Sequence, residues 1–132
     1  MATAKKVKQL SVLLPDRVGA LAMLSALIAK AKVNINAICA YRSGKKAEFL
    51  ILPESVAKAK GALSPLRVKV KEEDVVCITM PNRAGQLAAV AAKLAKAGIN
   101  ITYSWATALV GKTSSWVITT SNNAKAVRVI NR

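Results

Sequence analysis

The feature that most limits what this chain can become is that it repeats itself. Pro15-Asp16-Arg17-Val18-Gly19-Ala20-Leu21-Ala22 returns as Pro81-Asn82-Arg83-Ala84-Gly85-Gln86-Leu87-Ala88, 66 positions later. The register holds without a gap as far as Val33-Asn34-Ile35 against Ile99-Asn100-Ile101, and about half of the positions from Pro15 to Asn36 are identical to their partners. After a one-residue insertion, Phe49-Leu50-Ile51 matches Trp116-Val117-Ile118. A fixed internal period means one supersecondary unit used more than once. The 132 residues therefore divide into residues 1–72 and 73–132. A lone unit of that size buries only about 60% of the surface its unfolded chain exposes. The two are expected to share a core or a sheet.

Each copy carries the same local signals. Lys8 to Leu14 and Val75 to Met80 are β-rich runs ending at a proline, which reads as a strand. Pro-Asp/Asn-Arg-x-Gly is turn chemistry. Leu21, Leu24 and Ile28, repeated as Leu87, Val90 and Leu94, fall at helical spacing and predict an amphipathic helix. Lys30, Lys32, Lys93 and Lys96 stand near the helix ends, where positive charge complements the dipole. Gly98 suits the position that closes the second helix, and Lys32 holds that place in the first. Val33 to Arg42 and Ile99 to Leu109 read as strands. Hairpin turns follow at Ser43-Gly44-Lys45-Lys46 and Val110-Gly111-Lys112, then returning strands at Glu48 to Leu52 and Ser115 to Thr119. Helices near Ser55 to Leu63 and Asn123 to Ile130 come next. Leu66 to Lys71 resumes alternation, and Glu72-Glu73-Asp74 reads as a turn before Val75. The order is β-α-β-β-α-β, an α+β, ferredoxin-like unit in tandem. The second copy stops before a last strand of its own. Leu66 to Lys71 is expected to hairpin onto Val75 to Met80 and close both units.

Composition excludes several classes. Hydrophobic residues make up 53% and charged residues 20%, a globular balance. There is no histidine, and the six carboxylates form no spaced acid–base pair. No phosphate-cradling loop or metal cluster is visible, so neither catalytic nor metal-binding residues, nor any cofactor, are assigned. Cys39 and Cys77 lie in apolar runs and read as reduced, buried thiols. No apolar run is long enough to span a bilayer, and the first ten residues lack the apolar core of a signal peptide. A cytoplasmic protein without a membrane partner is expected. The formal charge of +15 comes from fifteen lysines and six arginines scattered along the chain. It reads as solvated surface first and a polyanion footprint second.

A β-α-β-β-α-β unit with Asp/Asn-Arg-x-Gly at its first turn and Asn-Ile after its first helix resembles the ACT domain. The resemblance covers both copies, from Lys8 onward, and is similar to small free-standing tandem ACT proteins. It departs from them in having Val18 and Ala84 where a second proline often precedes the turn glycine. The resemblance implies an amino-acid-binding regulatory module, a homodimer, and possible attachment to a regulated enzyme, without catalysis of its own. Carried over by position, ligand contacts come from Asp16, Arg17, Val18, Gly19 and Ala20 in one copy. In the other they come from Asn82, Arg83, Ala84, Gly85 and Gln86. Asn34-Ile35 and Asn100-Ile101 complete the sites across an interface.

The chemistry fits that assignment. A turn running into a helix leaves free N–H groups that favour a carboxylate. Glycine at 19 and 85 permits close approach, and a carboxamide offers both donor and acceptor. The plain structural reading makes Asp16 and Asn82 helix caps, the glycines steric relief, and Arg17 and Arg83 solvated. Tyr103, Trp105 and Trp116 either wall a pocket or fill core. The alternative function is a basic nucleic-acid-binding protein of the same topology, although the first strands lack the aromatic residues on which such domains stack bases.

Overall fold

The computed structural model of the protein describes residues 1–107 and 111–132. The described elements run β1 (Thr3–Pro15), α1 (Ala20–Lys30), β2 (Ile35–Ser43), β3 (Lys46–Pro53) and α2 (Val56–Ala62). They continue with β4 (Val70–Pro81), α3 (Gln86–Lys96), β5 (Ile101–Thr107), β6 (Thr113–Thr120) and α4 (Asn123–Asn131). A 3₁₀ turn at Ser64–Leu66 follows α2. The expected strand end at residues 108–109 and the turn position 110 lie outside the described residues.

The chain forms two compact units, one of Lys8–Glu73 and one of Asp74–Arg132 together with Met1–Val7. The strand order is β2-β3-β1-β4 in the first and β5-β6-β4-β1 in the second. The first unit is closed by residues 70–73 of β4. In the second, residues 3–7 of β1 hold the position beside β4. The expectation of a unit without its last strand rested only on the residues beyond the second helix of the copy. The strand comes instead from the other end of the chain.

Side-chain bonds fix it there. The Ala4 N–H donates to Asn131 Oδ1 at 2.7 Å, and Asn131 Nδ2 donates to the Ala4 carbonyl at 2.9 Å. The Asn131 carboxamide thus pairs with the backbone as another strand would, offering one donor and one acceptor.

The expected hairpin between Leu66–Lys71 and Val75–Met80 is not formed. Glu72, Glu73 and Asp74 lie inside β4, which runs through them unbroken. The triplet has no glycine, the residue that most readily takes the left-handed conformation a tight hairpin turn needs, whereas a strand tolerates charges that reach solvent. Glu72 and Asp74 are exposed. Lys60 Nζ lies 3.6 Å from Glu72 Oε2, and Asn123 Nδ2 donates to the Asp74 carbonyl at 2.9 Å.

Each unit has its own core between its helices and one face of its strands. In the first, Leu10, Val12 and Leu14 of β1 and Phe49 and Ile51 of β3 pack on Leu24 and Ile28 of α1 and Leu63 beyond α2. In the second, Val76, Ile78 and Met80 of β4 and Trp116 and Ile118 of β6 pack on Val90, Leu94, Ala126 and Ile130. The strand residues are spaced by two and the α1 and α3 residues by four, as the two geometries require.

The helical stripe differs from the expected one at its first member. Leu21 and Leu87 are exposed; Ala20 is buried with Leu24 and Ile28, and the half-buried Gln86 leads Val90 and Leu94. A spacing of four along the whole stripe keeps it over the strands.

Both helices end in the same motif. Val33 N–H donates to Ile28 O and Lys32 N–H to Ala29 O; Ile99 N–H donates to Leu94 O and Gly98 N–H to Ala95 O. These are the paired bonds of a Schellman ending, whose C′ residue is left-handed. Lys32 has φ 60° and Gly98 φ 73°, as the sequence positions implied.

Candidate functional site

The repeated turns are where α1 and α3 begin. Each helix starts at a left-handed glycine, Gly19 (φ 89°) and Gly85 (φ 87°), with no side-chain cap and no acidic residue in the first turn. The other two helices are capped: Ser55 Oγ accepts from Lys58 N–H, and Asn122 Oδ1 accepts from Lys125 N–H. An uncapped start leaves backbone donors facing outward at the positive end of the helix dipole.

Asp16 and Asn82 are not caps. They tie the turn to the neighbouring hairpin. Asp16 N–H donates to Lys45 O at 3.0 Å, and Asn82 N–H donates to Lys112 O at 2.8 Å. The Asp16 carboxylate accepts from Arg42 Nε at 2.6 Å, while Asn82 Nδ2 donates to Gly111 O at 3.1 Å. One turn therefore carries an ion pair and the other a carboxamide–carbonyl bond. Arg17 and Arg83 serve through their carbonyls, which accept from Ala20 and Gln86 N–H. Their side chains are exposed, as are Val18 and Ala84.

Beside the α1 turn lies a groove of about 580 Å³, lined by Asp16, Arg17, Gly19 and Ala20, by Leu21, Ala22 and Ser25 of α1, by Ala40, Tyr41 and Arg42 of β2, and by Ala47 and Phe49 of β3. Its floor is apolar and its rim holds the Asp16–Arg42 pair. The sequence reading missed the contributions of β2 and β3. They come from the register that sets Arg42 opposite Ala47 and Ala40 opposite Phe49, which no local motif announces. Arg42, the one charged residue of β2, was the available signal.

Tyr41 stands at the same rim. Burial, then its hydrogen bond to the Glu48 carboxylate, hold its phenol above the ordinary value. The carboxylate stabilises the protonated hydroxyl that donates to it.

Asn34 and Ile35 line a second groove of about 490 Å³ along α1, with Ala22, Ser25, Ala26, Ala29 and Val33. Ala22 and Ser25 belong to both grooves. Asn34 follows α1 while Asp16 precedes it, so the 11 residues of the helix, about 16 Å of rise, separate the two motif parts within one unit. Asn34 Nδ2 donates to Asn36 Oδ1. The Asn100 N–H donates to Ser121 Oγ, and its carbonyl accepts from Ser121 N–H. Ile35 and Ile101 pack against the cores of their own units.

The three strand aromatics do not share a pocket. Trp105 lies opposite Val117 in the register. Trp116 therefore faces the other side of the strands, into the core. Phe49 is buried as well, so neither third-strand aromatic is available to stack on a base. Among the described residues, no three His, Cys, Asp or Glu side chains gather as a metal site requires, and no helix is long and apolar enough to cross a membrane.

Two α+β units with matched glycine-led helices define a tandem repeat of one α+β module. The chain belongs to the ACT domain pair family, which it matches over residues 5–132; ACT domains are regulatory ligand-binding modules. No curated protein matches the sequence. Among solved structures it is similar to a protein from Bacteroides thetaiotaomicron, at 31% identity and a TM-score of 0.88, with 96% of this chain and 87% of that one covered. It is also similar in fold to the ligand-free regulatory subunit of aspartate kinase from Thermus thermophilus, at 15% identity and a TM-score of 0.69 over 96% and 93% of the two chains. The aspartokinase alpha and beta subunits give 18% identity and a TM-score of 0.68 over 96% and 93%.

Proposed function

We propose that the protein is a cytoplasmic regulatory module, without catalytic activity, that binds a free amino acid at the start of α1 and acts on an enzyme partner. The observation that carries this reading is the contrast between helices. The two that follow the repeated turns are uncapped, while the other two are capped by Ser55 and Asn122. Helix-start donors beside an open groove suit a carboxylate. In this reading the effector carboxylate meets the N–H groups after Gly19, with the exposed Arg42 within reach to pair with it. The Asp16 carboxylate then takes the ammonium group. The floor of Ala20, Ala40, Ala47 and Phe49 favours an amino acid with an apolar side chain.

A homodimer completes the site. β2 stands at the edge of its unit, and from Ile35 to Tyr41 it has no charged residue and no proline. Such guards normally keep an exposed edge from pairing with another chain. Pairing along this edge brings a second Asn34-Ile35 near the turn of the first copy, which reconciles the distance between the two motif parts. In the second unit the same roles fall to Asn82, Arg83, Ala84, Gly85, Gln86, Asn100 and Ile101. The uncharged edge strand there is β5. Nucleic acid ranks below this reading because Phe49 and Trp116 are buried rather than displayed.

The test is a thermal-shift screen of the full chain against the twenty amino acids, followed by calorimetry on any hit. Ligand at 100 times its dissociation constant adds about 2.7 kcal/mol, or about 10 °C for a chain of this length. Asp16→Ala and Asn34→Ala are expected to remove most of that gain. No shift with any amino acid at millimolar concentration refutes the proposal.

A further inference from the structure

A third, more recessed groove of about 420 Å³ lies in the Lys8–Glu73 unit, away from the α1 turn. Lys46, at the start of β3, and Lys69 and Lys71, on either side of the first residue of β4, line it. Ser11, Leu13, Glu48 and Val68 complete the wall. Leu13 and Glu48 are opposite one another in the β1–β3 register, and Ser11 is opposite Leu50. Ser11 and Leu13, two apart on β1, therefore share a face with Glu48. Lys69 and Lys71 are likewise two apart. They follow Arg67, whose left-handed backbone (φ 52°) closes the 3₁₀ turn and leads the chain into β4.

The charges here are unbalanced in a particular way. Glu48 is the one carboxylate among the described lining residues, with Glu73 of β4 close enough to act on Tyr41, and Glu48 is held by other partners. Ser11 Oγ donates to its Oε1 at 3.1 Å, and Tyr41 hydrogen-bonds to it as well. None of Lys46, Lys69 and Lys71 makes an ion pair among the described residues. Nearby cations of the same unit do pair, Arg42 with Asp16 and Lys60 with Glu72. Three ammonium groups against the committed Glu48 give the lining residues an excess of two positive charges, which Glu73 nearby offsets only in part.

The geometry points to a binding site for a phosphorylated small molecule carrying at least two negative charges. Ammonium groups on flexible stems act as point charges with three donors each. They suit the many acceptors of a diphosphate better than the planar fork geometry of a carboxylate, which arginine reads. Leu13, which is 45% exposed, and the half-buried Val68 offer an apolar wall for the organic part of such a ligand. The site shares no lining residue with the α1 groove; the Tyr41–Glu48 bond is a link between them, and Lys69 and Lys71 stand apart from it, so their variants test this site separately from amino-acid binding.

Calorimetric titration of the full chain at low salt with inorganic pyrophosphate, ADP and adenosine tests this. Saturable pyrophosphate binding is expected, with ADP at least as tight and adenosine absent. Lys69→Ala and Lys71→Ala should each weaken pyrophosphate about five- to tenfold, the range of a charge-assisted contact at a partly exposed site. Glu48→Gln should tighten it severalfold, since it removes the opposing charge that lines the groove and keeps an acceptor for Ser11 and Tyr41. Lys30→Ala and Lys58→Ala, which remove equal charge outside the groove, should leave it within twofold. Equal losses from groove and remote lysines would show unspecific attraction and overturn the site. So would the absence of saturation at millimolar pyrophosphate, or adenosine binding as well as ADP.

Discussion

Replacing Asn131 with alanine tests the least local feature of this fold. The substitution removes both bonds between the last helix and the first strand, Ala4 N–H to Oδ1 at 2.7 Å and Nδ2–H to Ala4 O at 2.9 Å. Intramolecular hydrogen bonds contribute about 0.5–1.5 kcal/mol each net of water. Asn131 is itself exposed, so water can take over part of each bond, which favours the lower half of the summed range, about 1–2 kcal/mol. The entropy of unfolding, about 2.1 cal/mol/K per residue, makes 1 kcal/mol worth about 3–4 °C for 132 residues. Asn131→Ala should therefore lower the melting temperature by about 4–7 °C. Asn131→Asp keeps the acceptor but loses the donor and sets a carboxylate at a helix C-terminus, where the dipole opposes it; it should fall at least as far. Differential scanning calorimetry measures both, and amide exchange at Ala4 reports the bond to Asn131 directly. An Asn131→Ala protein melting within 1 °C of the parent, with Ala4 still protected, would refute the argument that this clamp holds residues 3–7 beside β4.

Three further outcomes rest on single residues. Lys32 is left-handed where Gly98 serves in the other copy, and a non-glycine residue there costs about 1 kcal/mol or more. Lys32→Gly should raise stability by about that much and Gly98→Ala lower it; no atom lies within 4 Å of the added Cβ at Gly98, so urea melts read backbone strain alone. The Tyr41 phenol is raised above 10.0 by burial and by Glu48. The folded state therefore holds that proton longer than the unfolded chain, so the stability it contributes is full below pH 10 and is lost as pH rises through the higher folded value. Tyr41→Phe should flatten this alkaline loss in pH-dependent melts and remove a late-titrating phenol from the tyrosinate absorbance. Burial raises both thiols, with Lys5 opposing it at Cys77. Both should react with a disulfide reagent at pH 7.5 more slowly than free cysteine, and unfolding in guanidinium should remove the difference.

The repeat, the turns and the periodicity were legible in the sequence because they are local. Left-handed glycine at 19 and 85, the C′ positions of Lys32 and Gly98, and the stripe through Leu24, Ile28, Val90 and Leu94 depend on bonds spanning a few residues. The features that only tertiary structure decided lie far apart along the chain. Glu72-Glu73-Asp74 carries acidic residues that commonly mark a turn, yet the chain runs through it as strand because pairing on either side outweighs a weak local preference. The closing strand of the second unit comes from residues 3–7, which carry no mark of that role; their partner, Asn131, lies 127 positions from Ala4. The candidate groove shows the same division. Its turn was visible as a motif, but Arg42 and Tyr41 reached it through β2–β3 register. Leu21 and Leu87 left the core because the helix lays residues spaced by four, beginning with Ala20 and Gln86, over its strands.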